Sequence, residues 1–151
     1  MSSERRPPVE REFSAGGVVI NGAEPPECIV IVPTRRAQGG ARVLALPKGH
    51  PEGDESGADA ALREIREETG IEARLVGKLG DVKYWYQRDG KRIAKVVSFF
   101  LFEHVSGDPG GDPFEVEEAR WIPLSEAASA LSYRGEREMV SLAMVHPSCR
   151  S

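Results

Sequence analysis

The sequence predicts a mixed α/β domain, and three observations carry that prediction. Short runs rich in Val, Ile and Phe alternate with helix-like segments along the 151 residues. Within Ser56–Thr69, Ala58, Ala61, Leu62, Ile65 and Thr69 recur at helical spacing and form one apolar stripe. Ala73–Arg88 leads through Asp89-Gly90 into Ile93–Glu103, which reads as two long strands joined by a tight hairpin. No internal repeat or linker divides the chain, so one domain over 12–147 is expected, with a mobile tail over 1–11.

The elements follow in order. Phe13–Ile20 is an apolar run around two glycines and reads as a strand; Cys28–Val32 and Arg42–Leu46 read as two more. Leu46–Gly57 is then a strand end followed by a Gly- and Pro-rich loop. The helix over Ser56–Thr69 stops at Gly70, with Ile71 placed to pack back behind it. In the hairpin, Val96, Val97, Phe99, Phe100, Leu101 and Phe102 supply core residues. Ser106–Pro113 is a loop, Ala119–Ile122 a last short strand, and Ser125 is placed to cap a helix running to Leu131. A final helix is expected over Glu136–Val145, from the spacing of Met139, Leu142 and Ala143.

Composition narrows the function. The net charge of −4 argues against a general nucleic-acid binder, though it leaves room for a local basic pocket. Cys28 and Cys149 are isolated and lack metal-ligand spacing, so a reducing cytoplasm is the expected setting. Residues 1–12 carry charges and prolines without an apolar run, unlike a secretory signal, and no stretch has the length and apolarity of a membrane span.

The sharpest feature is a trio of carboxylates, Glu64, Glu67 and Glu68, in the last turns of the predicted helix. Spacings of three and four residues bring side chains onto one face, where like charges repel by roughly a few tenths of a kcal/mol per pair. A hard cation, magnesium or manganese, would offset that repulsion with oxygen ligands alone. A solvated acidic face is the alternative for these residues taken by themselves.

The surrounding residues favour the cation reading over the solvated face. Gly49 is followed after five residues by Glu55, and after seven more by Arg63-Glu64-Ile65. One residue later come Glu67-Glu68, and one after that Gly70-Ile71. This pattern resembles a complete Nudix box, the signature of hydrolases acting on nucleoside diphosphates linked to another group. All nine specified positions are matched across 23 residues. The resemblance implies an α/β/α sandwich with a mixed β-sheet between helices, and magnesium or manganese as cofactor. It implies that Glu67 and Glu68 are the core metal ligands and that Glu64 is a ligand or the general base. The Gly49 carbonyl would complete the metal site, Arg63 would orient the glutamates, and Glu55 would belong to the outer ligand set. Phosphoanhydride hydrolysis needs such a site, because divalent ions both neutralise phosphoryl oxygens and lower the pKa of bound water. A further carboxylate outside the box is common in the family. Glu115 is the first choice, six residues before Trp121, with Glu117 and Glu118 as rivals and a charged loop as the alternative for all three.

Substrate residues are read from what lies nearby. Pro47-Lys48-Gly49-His50 resembles the opening found in hydrolases of diadenosine polyphosphates and of diphosphoinositol polyphosphates. Lys48 is placed to meet a phosphate as a point charge, and Tyr84 and Tyr86 could offer a stacking face for a base. Alternation along a strand sends neighbours to opposite faces, so at least one of Tyr84, Trp85 and Tyr86 is expected in the core. Among Arg88, Lys91, Arg92 and Lys95, Lys95 is the better phosphate contact because it directly precedes the apolar run. His50 and His104 lack partner spacing and are not read as metal ligands. The leading expectation is hydrolysis of a dinucleoside polyphosphate. The alternatives are the same chemistry on oxidised nucleoside triphosphates, nucleoside diphosphate sugars or diphosphoinositol polyphosphates, or a nucleotide sensor without turnover. The partner expected is a small-molecule nucleotide, without nucleic acid or membrane, bound by a monomer or homodimer.

Overall fold

The computed structural model describes residues 9–34 and 40–149. Six strands form one sheet: β1 (Val9–Ile20), β2 (Glu27–Pro33), β3 (Lys48–Gly49), β4 (Glu72–Arg88), β5 (Lys91–Ser106) and β6 (Val116–Pro123). Their order is β4-β5-β1-β2-β6, with the short β3 beside β1. β1 and β5 run parallel while every other pairing is antiparallel, so the sheet is mixed. Three helices, α1 (Gly57–Thr69), α2 (Leu124–Ala130) and α3 (Arg134–Met144), cover it.

Side-chain alternation sorts the helices to the two faces. Ala15, Val19, Ile29 and Phe102 meet Ala60, Ala61 and Ile65 of α1 on one side. Val18, Val30, Val97, Phe99 and Leu101 meet Leu124 and Ala127 of α2 and Met139, Val140 and Ala143 of α3 on the other. The result is the expected α/β/α sandwich. Gly17 sets how closely α1 can sit, since a Cβ there would lie 2.8 Å from Ile65 Cδ1 and from Phe102. Ser56 caps α1 by accepting the Asp59 amide at 3.1 Å. Gly70 closes the helix in the left-handed region at φ 76°. At the hairpin, Asp89 and Gly90 both take positive φ, as the tightest hairpin turns require.

Several expectations are corrected. Arg42–Leu46 is not a strand: only Ala45 bridges Ile31, and the neighbouring amides go elsewhere. Leu44 donates to Ser132 Oγ at 2.8 Å and Leu46 to Glu136 Oε1 at 2.8 Å, so side chains replace the ladder. β1 begins at Val9 rather than Phe13, because its polar first half pairs with β5 from Arg92 onward. Of the tail expected over 1–11, residues 1–8 lie outside the described residues. Ser125 falls inside α2, which starts at Leu124 behind Pro123 with no side-chain cap. In α1 the buried face includes Ala60 rather than Ala58, and in β5 Val96 and Phe100 are only half-buried. None of Tyr84, Trp85 and Tyr86 is buried. Among the described residues no helix is long and apolar enough to cross a membrane.

Ile65 is fully buried where α1 meets the sheet. Ile65→Ala is expected to lower unfolding free energy in urea by about 2–5 kcal/mol; a loss under about 1 kcal/mol would show that α1 is not seated as described.

Candidate active site

The carboxylates of α1 are held by the strand beside them. Glu64 packs against Gly49 so closely that a Cβ there would lie 2.2 Å from its carboxyl carbon. Glu68 Oε1 accepts the Lys48 amide at 2.8 Å. The box glycine is therefore a steric requirement of Glu64, which needs the space a side chain would take.

Arg63 organises the rest. Its Nε and Nη2 donate to Glu55 at 2.8 and 3.0 Å, a forked pair. Nη1 donates to Glu64 at 3.0 Å and to both Glu67 oxygens at 3.1 Å. Nη2 also donates to the His50 carbonyl at 2.9 Å, which ties the loop to the helix. Hydrogen bonding from Arg63, then from the Glu52 amide, holds the Glu55 carboxyl below its ordinary value. The same pairing holds the guanidinium above its own.

Glu68 is the least compensated of the cluster. Burial pushes its carboxyl up to about 8, against the Lys48 amide, with the charges of Glu64 and Glu115 adding to the rise. Burial raises Glu64 as well; Arg63 opposes this, and Glu67 and Glu115 reinforce it. Glu115, one residue before β6, thus adds its negative charge to the field at Glu64 and Glu68. Glu118 instead lies 3.6 Å from Arg120, and Glu117 directly precedes Glu118 on β6. Among the described residues no three His, Cys, Asp or Glu side chains already stand as a metal-ligand set. The donor chemistry nonetheless fits a hard divalent cation: the oxygens are all carboxylate or carbonyl, and crowded carboxylates need positive charge that Arg63, committed to four other partners, does not give Glu68.

The substrate candidates gather on the other side of β3. The Lys48 ammonium turns away from the carboxylates of α1, donating to Glu136 Oε2 at 2.8 Å and lying 5.0 Å over the Tyr133 ring. Burial works against its charge, but Glu136 outweighs it and the pKa rises. Tyr84 and Tyr133 are each 45% exposed. Burial raises the Tyr84 hydroxyl, and it lies within the fields of Lys48, Tyr133 and Glu136. Tyr84 and Tyr86 stand 6.3 Å apart, ring centre to ring centre. The Tyr86 hydroxyl and Arg88 both donate to Glu12, whose carboxyl they pull down to about 2. Lys95 is only 8% exposed and lies 3.7 Å from Glu12; burial lowers its pKa.

Of the four expected substrate residues, all therefore fall on one side of the sheet. Arg88 and Lys91 are taken up by Glu12 and Glu10, and Trp85 points to the opposite face with Arg92 stacked 4.4 Å above it. His50 Nδ1 lies 3.1 Å from the Phe13 carbonyl oxygen. Three residues were missed from sequence: Glu12, Tyr133 and Glu136. Glu136 had a signal, since it shares the helical stripe of Met139, Val140 and Ala143 and is 4% exposed. A carboxylate on an apolar stripe calls for a buried cation, here Lys48.

The family model for the NUDIX domain matches residues 10–143. A Mycobacterium tuberculosis protein that carries the name mutator protein MutT4 is 38% identical over 134 residues, covering 87% of this chain and 54% of its own length. An 8-oxo-(d)GTP phosphatase of Mycolicibacterium smegmatis is 34% identical over 64% of this chain and 28% of its own. The chain thus spans about half or less of the length of these curated relatives. Among solved structures, a NUDIX hydrolase from Nitrosomonas europaea superposes with TM-score 0.71 at 20% identity, covering 89% of this chain and 88% of that one. A Caenorhabditis elegans Ap4A hydrolase gives 0.68 at 21% identity, covering 87% and 94%. These structural likenesses establish the fold.

The raised pKa of Glu68 has a consequence for stability. The unfolded chain releases this proton near the ordinary value of 4.5 and the folded chain near about 8. The folded state holds more protons across that window, so Glu68 costs stability as pH rises through it. Glu68→Gln keeps an acceptor for the Lys48 amide and removes the charge. Without added metal, its melting temperature relative to the parent is expected to be more favourable at pH 8 than at pH 5; an unchanged difference would contradict the raised pKa.

Proposed function

The chain belongs to the NUDIX domain family, and from that membership we propose that it hydrolyses a phosphoanhydride bond in a nucleoside polyphosphate, with dinucleoside polyphosphates as the leading substrate class. The observation that carries the reading is the pair of sites placed back to back across β3. Glu64 and Glu68 contact Gly49 and the Lys48 amide on one side, while the Lys48 ammonium lies against Tyr133 on the other. A phosphate chain lying across β3 would reach the carboxylates at one end and place its base between Tyr84 and Tyr133 at the other.

In this reading Glu64, Glu67, Glu68, Glu115 and the Gly49 carbonyl would hold magnesium or manganese. When bound, the ion supplies neutralisation of phosphoryl oxygens and a lower pKa for water. Arg63 keeps Glu64 and Glu67 in position through hydrogen bonds, and Lys48 and Lys95 supply positive charge for the remaining phosphates. Glu64 serves in this reading as a cation ligand or, alternatively, as the acceptor of the attacking water's proton.

The pocket offers aromatic faces more than free base-edge partners, because Glu136 and Glu12 are engaged with Lys48, Leu46, Tyr86 and Arg88. That favours a stacked base without fine discrimination of its edge. The second reading, an oxidised purine nucleoside triphosphate, is favoured by the names that the mycobacterial relatives carry.

A hydrolysis screen with magnesium tests these readings. Diadenosine polyphosphates, oxidised guanine triphosphate, ADP-ribose and a diphosphoinositol polyphosphate are compared by kcat/KM, with products resolved by chromatography. Preference for a diadenosine polyphosphate with ATP among the products supports the first reading; preference for the oxidised triphosphate supports the second. Absence of turnover with every substrate would leave a nucleotide sensor. Tyr133→Ala is expected to raise KM about tenfold, the loss of one stacking partner, with kcat little changed. An unaltered KM would remove Tyr133 from the pocket. Glu68→Gln is expected to abolish most turnover while the protein stays folded.

A further inference from the structure

The loop between β5 and β6 crosses the C-terminal end of α1 at main-chain contact. The Gly110 amide donates to the Thr69 carbonyl at 2.7 Å and the Asp112 amide to the Glu67 carbonyl at 3.3 Å. Gly111, between them, has no room for a side chain: a Cβ would lie 1.9 Å from the Glu68 carbonyl oxygen and 3.1 Å from Glu68 Cα. Gly70 meets the same loop from below, since its Cβ would fall 2.5 Å from the Gly110 carbonyl oxygen. These obstacles are backbone, which cannot swing aside as a side chain would.

The loop then turns at once into Glu115. The amides of Glu115 and Val116 both donate to the Asp112 carbonyl, at 3.0 and 2.9 Å, and the Asp112 carboxylate accepts the Phe114 amide at 2.9 Å. The far end is pinned to β2, where the Thr34 amide donates to the Glu115 carbonyl at 3.0 Å. The segment is thus a strap fastened to the helix bearing Glu67 and Glu68 and to the strand layer, with Glu115 at its fixed end.

We infer that Gly111 is a positioning residue for the cation site: by letting the strap lie on the backbone of Glu68, it sets the distance between Glu115 and the carboxylates of α1. The inference rests on the cation reading of that cluster. A second effect works in the same direction. The C-terminal end of a helix carries partial negative charge, which disfavours carboxylates there. The two strap amides occupy carbonyls at that end and reduce the negative field where Glu67 and Glu68 sit.

The test is manganese affinity of the full chain without substrate, read from the electron paramagnetic resonance signal of free Mn2+. Gly111→Ala is expected to weaken binding about tenfold, and Glu115→Gln to weaken it as well. The double variant is expected to bind no more weakly than Glu115→Gln alone, because Gly111 acts through Glu115. Gly110→Ala, whose added Cβ meets nothing within 4 Å, is expected to match the parent. If Gly111→Ala does not fold by circular dichroism, Asp112→Ala replaces it, loosening the turn without a clash, with the same pattern expected. Affinity within twofold of the parent, or losses that multiply in full in the double variant, would overturn the inference. A parent chain that binds no Mn2+ would instead overturn the cation reading itself.

Discussion

Everything at this site depends on Arg63 holding together charges that would otherwise separate. Three glutamates crowd the final turns of α1, where the helix dipole already disfavours negative charge. One guanidinium reaches Glu55, Glu64, Glu67 and the His50 carbonyl together. Only a planar group with five donors can serve partners in that many directions; an ammonium concentrates its charge at one nitrogen. The network fixes the loop before the helix, the first acid of the box and two acids of the cluster as one body. Glu68 alone is left to a main-chain amide, and burial pushes its carboxyl up to about 8.

Charge crowding of this kind is tolerable because stability is supplied elsewhere. α1 is seated by Ala60, Ala61 and Ile65 against a sheet whose interior residues are fully buried. The catalytic candidates ride on that rigid helix, so its polar edge can violate local charge preferences without shifting. β3, only two residues long, joins the two halves of the site. Its amide at Lys48 serves Glu68, its glycine admits Glu64, and its lysine side chain serves Glu136 on the opposite face. A displacement of this short strand would be felt by both the carboxylates and the aromatic pocket.

The carboxylate half of the site was legible in the sequence because it is local. Gly49 to Ile71 is one stretch, and helical spacing alone brings Glu64, Glu67 and Glu68 together. The hairpin and sandwich were legible for the same reason: Asp89-Gly90 and the apolar alternation are short-range signals. Glu115 could be guessed only as a carboxylate near a last strand, since the strap that delivers it is built from glycines whose contacts lie more than forty positions away in the chain. Arg42–Leu46 misled because Val43 and Ala45 are buried like strand residues, while the alternate amides of Leu44 and Leu46 bond to Ser132 and Glu136, ninety positions distant or nearly so. Tyr133 carried no periodic signal at all, standing just ahead of α3 in a turn.

The aromatic residues proposed to stack a base show how a long-range contact can set the spacing of side chains. Tyr84 belongs to β4 and Tyr133 to the turn before α3, so their separation depends on how closely that helix approaches the hairpin. Gly135 fixes the approach: a Cβ there would lie 2.4 Å from Val82 Cγ1, two residues along β4 from Tyr84. Any side chain at 135 would push the start of α3 away from β4, and Tyr133 and Glu136 would move with it. Glu136 resists that movement from the other side, holding both the Leu46 amide and the Lys48 ammonium at 2.8 Å. The approach of α3 to β4 is therefore set by the fit of Gly135 against the Val82 side chain on one flank and by a buried ion pair on the other. That arrangement makes the pocket a property of the sandwich rather than of a loop, and it couples the place where a base would stack to the strand that touches the carboxylates.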